Sequence, residues 1–313
     1  MMRRLILVAS ALSGLPLLVA WVISQRILHP KPKVEDHDLS DFALPAEEIS
    51  FPSRDGTRLA GWFIPAQGVA PSPGIVLSHG WGRSRAELLP HANFLHRAGF
   101  AVLAFDYRHR GKSGGDAVTM GLRERDDLRG ALDALSARSE VDPGRIGVMS
   151  MSMGSVVAIL VAAGDERVRV LVAECPYATY DAIMTKGMRH YYHLPSFPLA
   201  PLAKWVIERR LGQALEVPEA LDAVRAISPR PLFLIADERD AVVGPQETEL
   251  IFEAAGEPKS FWLIAGADHA CGWQAAPEEY ERRVVAFLQE ALAAEGGPVP
   301  APYVEASGEG TAL

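Results

Sequence analysis

The strongest constraint on this chain is a rhythm in its apolar residues. From Gly74 onward, short apolar runs at 75–78, 101–105, 146–149, 168–173, 232–236 and 261–265 alternate with stretches of helical spacing. A run with no polar alternation is buried on both faces, and parallel strands need a crossover between them, so the rhythm predicts βα units feeding a parallel sheet. One such crossover carries Leu122, Leu128, Ala131, Leu132 and Leu135 on a single stripe, with arginine and aspartate opposite. Ahead of the rhythm, β-like runs at 48–51 and 59–64 flank Asp55-Gly56, a turn signal that predicts an antiparallel hairpin.

Composition narrows the class further. At 313 residues, with 49% hydrophobic and 22% charged residues, the chain has the make-up of a folded globular domain rather than a multi-span membrane protein or a disordered one. Its net charge of -8 argues against nucleic acid as a partner. Two cysteines, Cys175 and Cys271, without a CxxC spacing or a Cys/His cluster, propose no metal site, and no cofactor is implied. A disulfide between them is left open.

The ends differ from the middle. Residues 5–24 run without a charge, behind Arg3 and Arg4 and ahead of Arg26, a length that can span a bilayer. Because Leu18 stands where a cleavage site wants a small residue before Ala20, an uncleaved membrane anchor over 1–28 is expected rather than a signal peptide. The basic residues on the two flanks balance, and the early arginine pair favours an extracytoplasmic domain. A Pro- and acid-rich linker over 29–45 precedes a catalytic domain over 46–294, and the tail at 295–313 is expected to be disordered. Within the domain, about 176–227 is too long for a plain crossover and reads as a lid. Of its aromatics and methionines, Tyr177, Met184 and Tyr191 are candidates for lining a substrate pocket; each could equally pack the lid on the body.

The chemistry centres on Ser150-Met151-Ser152-Met153-Gly154, which follows the run at 146–149 and precedes an apolar helical segment. Strand, sharp turn and helix are the context in which a serine hydroxyl is lifted above a sheet edge, with small residues two before and two after it. Ser152 is therefore the expected nucleophile, with Ser150 as the alternative. A serine needs a histidine base, and the base a carboxylate to fix its tautomer. His269 lies in the loop after the last apolar run, and Asp240 lies in the turn after the run at 232–236. Asp237 is the alternative acid, and Asp268, adjacent to the histidine, should face elsewhere. Two N–H donors must meet the developing oxyanion: that of Met153, and that of Trp81 in the loop Ser78-His79-Gly80-Trp81-Gly82. His79 is expected to be structural.

With Asp106-Tyr107-Arg108-His109-Arg110-Gly111-Lys112-Ser113-Gly114 added, this ordered set resembles the α/β-hydrolase superfamily over most of residues 48–290. The resemblance implies an eight-stranded, mostly parallel sheet flanked by helices, and is nearest to membrane-tethered, single-domain serine esterases. Two departures stand out: Ser150 and His109 occupy positions where glycine is usual. The expected activity is cleavage of a carboxylic ester or thioester with an apolar acyl or alkyl part, through an acyl-enzyme. A prolyl-oligopeptidase-type peptidase is the rival, disfavoured because no propeller-length segment precedes the domain; acyl transfer and a non-enzymatic tethered binding module are the others. The partners expected are an ester substrate and the membrane, with no nucleic acid or protein partner.

Overall fold

The computed structural model of the chain describes residues 2–33, 37–68 and 70–293. The tail expected over 295–313 lies outside them. Eight strands form one sheet: β1 (Glu47–Pro52), β2 (Arg58–Ile64), β3 (Ser72–Ser78), β4 (Ala101–Asp106), β5 (Val141–Met151), β6 (Val168–Glu174), β7 (Leu232–Asp237) and β8 (Lys259–Ile264), in the order β1-β2-β4-β3-β5-β6-β7-β8. The hairpin β1–β2 is antiparallel and joins β4 antiparallel, while every pair from β4 to β8 is parallel. In chain order the helices are α1 (Met2–Leu28), α2 (Leu89–Arg97), α3 (Glu124–Ser136), α4 (Met153–Ala162), α5 (Tyr180–Tyr192), α6 (Leu199–Leu211), α7 (Ala220–Ala223), α8 (Pro245–Ala254), α9 (Gly272–Ala275) and α10 (Pro277–Ala291).

The apolar runs have their physical reason in two cores. Ile75, Leu77, Val102, Ala104, Val170 and Val172 turn to one face, where α2 and α10 supply Phe94, Leu95, Tyr280, Val284 and Leu288. Val76, Leu103, Phe105, Val148 and Leu171 turn to the other, against α3 and α4. Burying each large aliphatic side chain in this way contributes about 1.5–3 kcal/mol, which is why both phases of the strand pleat are hydrophobic. The 106–114 segment braces the sheet edge. Arg108, buried, pairs with buried Asp127 at 2.6 Å and with Asp55 at 2.7 Å, tying β4 to α3 and to the hairpin turn. Cys175 and Cys271 are both free thiols.

The N-terminal expectation is overturned. A helix does form over α1, but among the described residues no helix is long and apolar enough to cross a membrane. The inner face of its second half faces protein rather than lipid: Ala20, Ile23, Ser24, Ile27 and Leu28 are buried. Arg210 of α6 reaches back to Gln25 at 3.0 Å and to His29 at 3.2 Å. The apolar run is thus partly an interface with the insertion between β6 and β7, and without a membrane-spanning helix among the described residues nothing places the domain outside the cytoplasm.

Candidate active site

The site is built where strands end. β5 stops at Met151 and α4 begins at Met153, leaving Ser152 between them at φ 53°, ψ -120°. Such backbone costs about 1–3 kcal/mol in a non-glycine residue and persists only where the surroundings over-determine it. Here the Ser152 N–H donates to the Glu174 carbonyl at 2.8 Å, and the Ser155 hydroxyl donates to the same carbonyl at 2.8 Å. Gly154 is required by close approach: a Cβ there would lie 2.5 Å from the Ser78 carbonyl oxygen and 2.6 Å from that of His79. Ser150 is buried within β5, and its hydroxyl donates to the Val172 carbonyl at 3.0 Å.

Loops after β7 and β8 bring the other groups to this serine. His269 Nε2 lies 2.8 Å from Ser152 Oγ, and His269 Nδ1 lies 2.7 Å from Asp240 Oδ2. The second carboxylate oxygen of Asp240 accepts the N–H groups of Val242 and Val243, both at 2.8 Å. Burial pushes the Asp240 carboxyl up, but the His269 hydrogen bond and charge, with the Val243 and Val242 N–H groups, outweigh it and hold the group below its ordinary value. An ionised Asp240 accepts a hydrogen bond from Nδ1–H and so fixes the tautomer in which Nε2 is free to accept from the serine. Asp237 is turned inward, accepting from the Cys175 thiol at 3.1 Å and the Cys271 N–H at 3.2 Å; Asp268 is exposed.

The loop after β3 passes over the same serine. Gly80 lies close enough that a Cβ on it would be 3.5 Å from that of Ser152. The Gly80 N–H is engaged by Glu87 at 3.0 Å. Among the described residues, the N–H groups of Trp81 and Met153 donate to no protein acceptor, and both residues line the cavity that holds Ser152 and His269. The free N–H of Met153 also stands at the positive end of α4. His79 is buried beneath: Nδ1–H donates to the Gly80 carbonyl at 2.8 Å and Nε2 accepts the Tyr107 N–H at 3.1 Å. Burial lowers its pKa to about 4, so it serves as a neutral strut. His109 has φ 59°, the left-handed backbone that glycine adopts freely.

The cavity over the serine measures about 100 Å³. Tyr177 and Met184 line it from buried positions, and Tyr191 from a half-exposed one. Ile27 and Met120 also line it, and neither was expected: an apolar position inside a long apolar helix carries no signal for a pocket wall, and Met120 sits in a loop. For a metal, the ligand atoms of Cys175, Asp240 and His269 lie near one another, but Asp240 and His269 already satisfy each other and burial pushes the Cys175 thiol well up. A protonated buried thiol is a poor ligand.

An eight-stranded, mostly parallel sheet, with a serine on the elbow after β5 and a histidine after the last strand, defines an α/β hydrolase. Residues 55–270 match the family described as X-Pro dipeptidyl-peptidase (S15 family), and the chain belongs to that family. It is a hydrolase of esterase or peptidase type. An esterase of Pyrococcus furiosus is 29% identical and superposes with a TM-score of 0.70, covering 84% of this chain and 100% of the esterase. An uncharacterized protein of Bacillus subtilis is 27% identical over 92% of this chain and 97% of its own length. A polyketide transferase of Aspergillus fumigatus is 25% identical over 79% of this chain and 98% of its own.

Proposed function

We propose that this chain is a serine esterase that cleaves a carboxylic ester or thioester with a small apolar acyl group. The observation that carries the reading is the relay from Ser152 Oγ to His269 Nε2 at 2.8 Å, and from His269 Nδ1 to Asp240 at 2.7 Å, on the floor of an apolar cavity. Ser152 Oγ attacks the acyl carbon while His269 Nε2 takes its proton. The resulting oxyanion is held by the N–H groups of Trp81 and Met153. His269 returns the proton to the leaving oxygen or sulfur, and a water activated by the same imidazole releases the acid from the acyl-enzyme. Asp240 orients the ring and stabilises the imidazolium. The lining is largely apolar, with Ile27, Met120, Met184, Met188 and Val242 among its residues, which suits an apolar acyl chain. Helices α5 and α6 form the lid in this reading.

The family's description favours a second reading, removal of X-Pro dipeptides from a free amino terminus. That substrate needs a carboxylate for its ammonium group. Among the described residues lining the cavity, Glu87 is the one carboxylate, and it is bonded to Arg83 at 3.0 Å and to the Gly80 N–H at 3.0 Å. An ester makes no such demand. The two readings separate in an assay of p-nitrophenyl esters of graded chain length beside X-Pro p-nitroanilides, each with Ser152→Ala as control. The ester reading expects Ser152-dependent turnover of short esters and no Ser152-dependent release of p-nitroaniline from the X-Pro substrates; Ser152-dependent cleavage of the X-Pro anilides transfers the assignment to the peptidase. Accumulation of transferred acyl product on an added alcohol or thiol, in preference to free acid, would instead assign acyl transfer, as the name of the fungal relative suggests.

A further inference from the structure

The end of α1 is built into the site. Ile27 lines the cavity, as do Met120, Met188 and Tyr192, and its carbonyl accepts the Trp81 indole N–H at 3.1 Å. A few residues on, the Lys33 N–H donates to the Gly82 carbonyl at 3.3 Å. Between these contacts the buried guanidinium of Arg110 spans three carbonyls, those of Arg83 at 3.0 Å, Pro30 at 2.8 Å and Gly82 at 2.8 Å. The segment 27–33 is therefore fastened to the loop that carries the Trp81 N–H, and through Arg210 its other side is fastened to α6.

We propose that Ile27 is a specificity-determining residue, a fixed wall contributed by α1 that limits the length of the acyl chain the site accepts. The proposal rests on the reading of the cavity as an acyl site. Its physical basis is a contrast in stiffness. Met120 and Met188 are unbranched and can re-pack around a longer chain. Ile27 is β-branched, restricted at χ1, and held by a backbone carbonyl that is itself bonded. Replacing Ile27 by alanine removes three carbons, enough room for about two further methylenes, each adding about fourfold in affinity.

The test reads pocket length without catalysis. In the full chain carrying Ser152→Ala, binding of 1-alkanols of about four to ten carbons is measured by calorimetry, with and without Ile27→Ala and Ile27→Phe. Affinity should climb with chain length and then level off. Ile27→Ala should move the levelling point about two carbons longer and Ile27→Phe should move it shorter, with kcat/KM for p-nitrophenyl esters following the same order in the Ser152 background. A levelling point that stays in place in Ile27→Ala, or an absence of alkanol binding to any variant, overturns the proposal. A point that moves while no ester is hydrolysed leaves the wall standing and sinks the esterase reading. Should Ile27→Phe fail to fold, Ile27→Val supplies the intermediate step and should give a shift smaller than that of alanine.

Discussion

At the scale of single residues, the chemistry depends on which proton sits where. Asp240 is held ionised by His269 and by two backbone N–H groups, so it accepts the Nδ1–H hydrogen bond that fixes the ring's tautomer. Asp240→Asn keeps the shape but offers an amide that can donate to Nδ1 and favour the wrong tautomer. It should lower kcat by about 10⁴ with KM changed only a few-fold, measured by steady-state hydrolysis of the best p-nitrophenyl ester. A loss confined to KM would mean that Asp240 serves substrate binding rather than the imidazole. Asp237 predicts differently: its partners are the Cys175 thiol and the Cys271 N–H, so its replacement acts through the packing beneath the His269 loop.

Elements explain what was legible in the sequence and what was not. β3 to β7 could be read because both faces of a central strand are buried, which writes a largely apolar run at each position, and β8, at the sheet edge, because its run is apolar although Leu263 is exposed. The elbow could be read because a strand, one serine and an apolar helix are contiguous. α1 could not, since an apolar helix face is written in the same residues whether it meets lipid or the insertion helix α6. Nor does any local pattern reveal Arg110, whose three carbonyl partners lie about 27 and 80 positions away in the chain. Arg110→Gln can reach at most one of those carbonyls, so the loop carrying the Trp81 N–H should loosen. We expect kcat to fall roughly 10- to 100-fold, short of the loss of a whole oxyanion donor, with KM little changed. If kcat and thermal stability are both unaltered, the guanidinium does not position that loop.

At the scale of the whole molecule, a buried acidic cluster lies at the carboxy ends of the neighbouring strands β6 and β7. Glu174 is fully buried, accepts the Tyr280 hydroxyl and, at 3.1 Å, the Gly272 N–H, and packs near Asp237, whose Oδ1 has no hydrogen-bond partner. Burial first, and then the neighbouring Asp237 charge, push the Glu174 carboxyl well above its ordinary 4.5. In the unfolded chain this group ionises near 4.5, whereas in the folded protein it stays protonated to higher pH. Over that window the folded state binds more protons, so stability falls as pH rises from the ordinary carboxylate value upward. Glu174→Gln should flatten this slope between about pH 5 and about pH 8, as followed by the urea midpoint at each pH. An unchanged slope would show that other groups set it.

The central claim is that one serine, Ser152, carries the reaction, and it is tested most directly by locating a covalent adduct. The purified full chain, treated with a fluorophosphonate probe and mapped by peptide mass spectrometry, should carry the phosphonyl group on Ser152. Labelling should disappear in Ser152→Ala and persist in Ser150→Ala, whose wild-type hydroxyl is bonded to the Val172 carbonyl within the sheet. An adduct on any other residue, or undiminished ester hydrolysis by Ser152→Ala, would contradict the account.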